Sequence, residues 1–109
     1  MADEETHYQV LRLLDSNPGL SQRDVASALG VSLGKVNYCV GELVKKGWLK
    51  VANFKNSRNK IAYMYILTPR GLERKGRLTL QFLKRKMREY ERLRAEIEQL
   101  RQEAQACRR

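Results

Sequence analysis

LSQRDVASALGVSLGKVNYCVGELVKKGWL, residues 20–49, holds two short amphipathic segments joined by a glycine-containing turn. Ser21 reads as an N-cap, and Asp24 three residues on makes this close to a capping box. Val25, Ala26 and Leu29 form an apolar stripe, and Gly30 stands where a helix C-cap would. Val31 bridges to Ser32, the N-cap of a second helix that runs to about Lys46 and stops at Gly47. Two capped helices around such a turn are the sequence form of a helix-turn-helix.

In the second helix Val36, Val40, Leu43 and Val44 are expected inward, which leaves Ser32, Gly34, Lys35, Asn37, Tyr38 and Gly41 outward. Lysine can donate to guanine and asparagine can pair with adenine in a major groove. The outward set therefore has the chemistry of a base-reading face, with Tyr38 able to meet a phosphate or a thymine methyl. A glycine inside a helix costs about 1 kcal/mol against alanine, so Gly34 and Gly41 require a reason. Either DNA approaches the helix backbone closely there, or the two helices cross tightly.

Working outward, THYQVLRLLDSN places Val10, Leu11 and Leu14 on one helical face and ends at Asn17-Pro18-Gly19. His7 reads as a helix-edge residue, since no carboxylate or cysteine is spaced to join it. Downstream, residues 48–54 and 61–67 are aromatic and β-branched strands. The polar link Lys55, Asn56, Ser57, Arg58, Asn59 and Lys60 makes a hairpin with a basic tip. Such a wing suits phosphates or a narrow minor groove. Ser21, Gln22 and Arg23 open the first helix of the pair, where phosphate contacts are common. Trp48 is expected in the core or at a hinge; nothing else in the sequence builds a ligand pocket around it. Thr68-Pro69 starts a last helix of about 35 residues, with Thr as N-cap and Pro at the first position. The expected fold is mainly α with a small β-hairpin. A winged helix-turn-helix domain (1–68) is followed by a long C-terminal coiled-coil helix (69–109).

Charge is segregated. Residues 1–29 carry two basic and five acidic side chains, residues 30–60 seven and one, residues 70–88 eight and one, and residues 89–109 five of each. Positive blocks between an acidic start and a balanced end fit a polyanion partner, here double-stranded DNA. The block from Arg70 to Arg88 either strengthens that field or touches backbone flanking the site. No apolar run approaches the ~20 residues of a membrane span, and residues 1–14 lack a signal-peptide pattern. A cytoplasmic, nucleoid-associated protein is expected. Cys39 and Cys107 form no CxxC, and there is one histidine, so neither a metal site nor a disulfide framework is expected. No serine–histidine–acid set or phosphate loop appears, so no enzyme activity and no cofactor are expected.

Beyond Leu72 the tail fits a heptad frame. Gly76, Leu83, Tyr90, Ile97 and Ala104 fall at a, and Leu72, Thr79, Lys86, Leu93, Leu100 and Cys107 at d. Leu78, Leu80 and Phe82 broaden the apolar face before Leu83 and are expected to pack on the domain. The dimer seam is expected at Leu83, Tyr90, Leu93, Ile97, Leu100 and Ala104. From Glu89 on, each g position is acidic (Glu89, Glu96, Glu103), and Arg94, Arg101 and Arg108 occupy e. A parallel pair matches these charges across the seam, whereas an antiparallel pair opposes like charges. A parallel homodimer is expected. Intrahelical pairs such as Arg92–Glu96 are the alternative use of these charges.

Residues 7–72 resemble the MarR-type winged-helix regulators, most closely in residues 20–49 and in LTPRGL (residues 67–72), which is similar to that family's opening of the helix after the wing. The chain as a whole is most similar to the small subgroup associated with exopolysaccharide (EPS) gene clusters. The resemblance implies groove contacts at Ser32, Lys35, Asn37 and Tyr38, and a wing contact at Arg58. Larger members dimerise through N- and C-terminal helices that enclose an effector pocket. Here a single tail helix stands in their place, and no small-molecule effector is expected. Two rival functions are an architectural protein that coats DNA through charge, and an adaptor that recruits a partner through the tail.

Overall fold

The computed structural model describes residues 3–55 and 61–108. Its elements are α1 (Glu4–Ser16), α2 (Gln22–Leu29), α3 (Leu33–Lys45), β1 (Leu49–Lys55), β2 (Ile61–Leu67) and α4 (Pro69–Cys107), in that order. The architecture is a winged helix-turn-helix with a long C-terminal helix, as the sequence predicts.

The helix ends form through the expected caps. The Ser21 hydroxyl accepts from Asp24 N–H at 3.1 Å, and Asp24 accepts from Ser21 N–H at 3.0 Å. Those contacts with Ser21 hold the Asp24 carboxyl below its ordinary range. Gly30 takes a left-handed conformation, φ 68°, and its N–H reaches back to Ala26 and Ser27. Ser32 accepts from Lys35 N–H at 3.1 Å, and Gly47 closes α3 with φ 76°. The short α2–α3 turn is fixed at both ends, so the angle of α3 is set locally.

The core lies where α1, α2 and α3 meet the base of the hairpin. Val10, Leu11, Leu14, Val25, Val36, Cys39, Leu43, Leu49 and Leu78 are fully buried or nearly so. Two expectations for α3 change. Cys39 fills an inward position, completing the Val36, Cys39, Val40, Leu43 spacing of one helical face. Val44, one residue beyond Leu43 and so rotated about 100° from it, lies at the rim and is 36% exposed.

His7 also differs from expectation. It is buried, its Nε2 lies 3.3 Å from Glu42 Oε1 of α3, and its ring meets Trp48 edge-on at 6.2 Å. Glu42 is 35 residues away in sequence, so no local spacing announces the pair. Trp48 joins α1, the C-cap of α3 and α4. Besides His7 of α1, Lys46 lies 5.2 Å and Arg74 of α4 4.9 Å from its ring centre. A depression of about 230 Å³ beside it is lined by Arg70, Glu73, Arg74 and Arg77, which the sequence did not suggest. Two of these arginines are committed within the chain, Arg74 to Glu4 at 3.4 Å and Arg77 to Glu73 at 2.8 Å.

β1 and β2 pair antiparallel, with Leu49 opposite Leu67, Val51 opposite Tyr65 and Asn53 opposite Tyr63. The chain divides into two compact units, Met1–Leu78 and Thr79–Arg109. Gly71 and Leu78 of α4 are buried within the first. Leu80, by contrast, is exposed. In the second unit Arg85 lies 4.8 Å over the Phe82 ring, and residues 83–108 are all exposed. No described helix is long and apolar enough to cross a membrane.

Candidate nucleic-acid interface

The outward face of α3 carries Ser32, Gly34, Lys35, Asn37, Tyr38 and Gly41, all exposed. A Cβ built on Gly34 or Gly41 meets no atom within 4 Å. Helix crossing therefore does not account for either glycine. Around Gly41 the helix surface is hollowed into a depression of about 380 Å³, walled by Asn37, Tyr38, Glu42, Lys45 and Lys46. Glu42, the acidic member of this wall, is the residue that His7 meets from behind. The face is thus concave at Gly41, with hydrogen-bonding and cationic groups on its walls.

Leu33 was not among the expected contacts. It is 42% exposed in the first turn of α3, where an apolar side chain can meet a thymine methyl. Its leucine identity suggests a core residue, and only its position relative to the Ser32 cap shows otherwise.

The expected phosphate contacts at the start of α2 fare differently from one another. Ser21 is engaged in the cap. The Gln22 side chain donates from Nε2 to the Tyr65 hydroxyl of β2 at 3.0 Å. The Arg23 side chain is exposed and makes no ion pair or hydrogen bond among the described residues. The wing residues Asn56, Ser57, Arg58, Asn59 and Lys60 lie outside the described residues, and of Lys55 only the backbone is described.

Cys39 lies beneath this face and is fully buried. Burial above all, and then Glu42, pushes its thiol up to about 12. A thiol so far from ionising is a poor nucleophile at neutral pH, so Cys39 is a packing residue. Among the described residues no group of three histidine, cysteine, aspartate or glutamate side chains is placed to hold a metal ion.

Two capped helices around a short turn, followed by an antiparallel hairpin, make up a winged helix-turn-helix architecture. Residues 3–50 match the family model described as winged helix-turn-helix DNA-binding, and the structural neighbours are MarR-family regulators. One is the PcaV transcriptional regulator of Streptomyces coelicolor, in complex with its natural ligand: 25% identity, TM-score 0.62, 76% of this chain and 57% of that one. Another is the adhesin competence repressor AdcR of Streptococcus pyogenes: 28% identity, TM-score 0.60, 81% of this chain and 63% of that one. A MarR/EmrR family regulator from Acinetobacter sp. ADP1 shares the fold at 23% identity and TM-score 0.63, over 76% of this chain and 57% of that one. The chain thus spans less than two thirds of the length of these neighbours. Comparison with curated protein sequences gave no significant match.

Proposed function

We propose that this chain is a MarR-type, sequence-specific transcription regulator that occupies a near-palindromic operator as a parallel coiled-coil homodimer. The observation that carries the reading is the outward face of α3. Two helix glycines there have no packing role, and base-reading side chains flank them. Regulators of this kind place the second helix of the pair in the major groove, with half-sites about one helical turn apart. The tail supplies the symmetry. Leu83, Tyr90, Leu93, Ile97 and Leu100 form an apolar stripe, each 43–62% exposed in the single chain. A hollow lined by Tyr90, Leu93, Arg94, Ile97, Glu98 and Arg101 follows that stripe, as a surface built to receive knobs from a second helix would. The alternative intrahelical pair, Arg92–Glu96, is not among the ion pairs of the described residues. The tail's ion pair among the described residues is Lys86–Glu89, which leaves Glu96 and Arg101 to act across a seam.

Such a protein works on the chromosome in the cytoplasm. Resemblance to the EPS-associated subgroup makes exopolysaccharide promoters the first targets to try.

The test is binding to an operator selected from a random-sequence duplex pool, compared with random duplex. Asn37→Ala is expected to cost about 1–3 kcal/mol on the operator and to relax preference at one position. Equal losses on operator and random DNA would remove Asn37 from base reading. Gly41→Ala should raise folding stability by about 1 kcal/mol, because alanine is the better helix former and its Cβ has open space. The same substitution should weaken operator binding, since the methyl fills the concavity that meets DNA. Unchanged affinity in the stabilised variant would show that nothing enters the hollow.

A further inference from the structure

The hydrogen bond between Gln22 and Tyr65 joins residues 43 positions apart, one opening α2 and the other at the middle of β2. Leu49 and Leu67, opposite each other, are buried and fix the base of the hairpin. Side chains alternate along a strand, so Val51 with Tyr65, and then Asn53 with Tyr63, continue the same face away from the core. Val51 and Tyr63 are exposed, while Tyr65 is half-buried. Beyond the Leu49–Leu67 base, the Gln22–Tyr65 side-chain hydrogen bond ties the hairpin to the helix pair. A two-stranded hairpin is marginal by itself, so its tilt follows from what it leans on.

We infer that Gln22 and Tyr65 act as one positioning unit that sets the height of the wing against α3, so that wing and recognition helix engage the same half-site in register. The inference rests on the DNA-reading assignment, adds Tyr65 to it and gives Gln22 a different role. Gln22 then serves binding through Tyr65 and not by touching phosphate. Removing either partner leaves the other half-buried polar group without its bond, and the wing without its stop. The two losses must therefore be the same loss.

The experiment is a double-substitution cycle on the full chain with Gln22→Ala, Tyr65→Phe and both together. Operator affinity is measured alongside hydroxyl-radical footprints. Each single variant is expected to lose about fivefold in operator affinity, the typical worth of one neutral hydrogen bond. The double variant should lose no more than either single one. Protection of the outer, wing-side backbone should fade in all three, while protection at the centre of each half-site persists. A general loss of stability would not produce that selective fading. Losses that multiply in the double variant, with the footprint unchanged, would mean that Gln22 contacts DNA independently and would overturn the coupling alone. Wild-type protein that shows no preference for the operator would overturn both the coupling and the DNA-reading assignment.

Discussion

Replacing Leu93 and Leu100 together by aspartate is expected to convert a dimer to a monomer and to lower operator affinity by a factor of about 10²–10⁴. That factor is what bivalent attachment contributes when the second half-site is bound intramolecularly. Both leucines are exposed in the single chain and lie in the unit beyond Leu78. The substitutions therefore remove no core contact from the winged-helix unit, whose unfolding midpoint should hold. Sedimentation or light scattering reads the mass, and titration of operator duplex reads the affinity. A variant that remains dimeric, or that binds as tightly as wild type, would contradict the tail's assigned role. Orientation has its own readout in Cys107, at a d position and exposed. In a parallel pair the two Cys107 side chains face each other, within the Cα separation a disulfide spans. In an antiparallel pair that matches residue 107 with residue 83, they stand about 36 Å apart along the helix. Air oxidation should therefore yield a covalent dimer that Cys107→Ser abolishes. Cys39, buried and with its thiol pushed up to about 12, does not compete.

Gly71→Ala is expected to cost about 3 kcal/mol or more, at the upper end of what overpacking does. A Cβ on Gly71 would lie 1.9 Å from the Trp48 carbonyl oxygen and 2.8 Å from its carbon. These are backbone atoms and cannot swing aside. The close approach follows from how α4 starts. Thr68 N–H donates to the Trp48 carbonyl at 3.1 Å, the Thr68 hydroxyl donates to the Gly47 carbonyl, and Gly71 N–H donates back to Thr68 Oγ1 at 3.0 Å. The first turn of α4 is thus clamped on the chain segment that leaves α3. Gly76→Ala, one and a half turns on and with open space around the new methyl, is the control and should stabilise by up to about 1 kcal/mol. Denaturant unfolding distinguishes them. Equal, small effects from the two substitutions would contradict the clamped geometry.

Local chemistry was legible in the residues. Ser21 with Asp24, Gly30, Ser32, Gly47 and Thr68-Pro69 each act within a few positions of themselves, so their caps and breaks could be read directly. What escaped depends on distance along the chain. His7–Glu42 and Gln22–Tyr65 are brought together by the fold, and no spacing rule links such pairs. Nor can a sequence tell one helix glycine from another. Gly71 is jammed against backbone while Gly34, Gly41 and Gly76 face open space, and only coordinates separate a packing requirement from a surface one. Cys39 shows the same limit. A 3.6-residue period admits it inside or at the edge, and the crossing of α3 over α1 and α2 decides.

One measurement tests the central claim most directly: binding to the selected operator and to random duplexes across a salt series, with mass determined on the same complexes. A regulator that reads sequence as a dimer should place two chains on each operator and prefer it by ~10³ or more at physiological salt. A preference near one, with an equally steep salt dependence, would mean that α3 does not read and that the chain coats DNA through its charge alone.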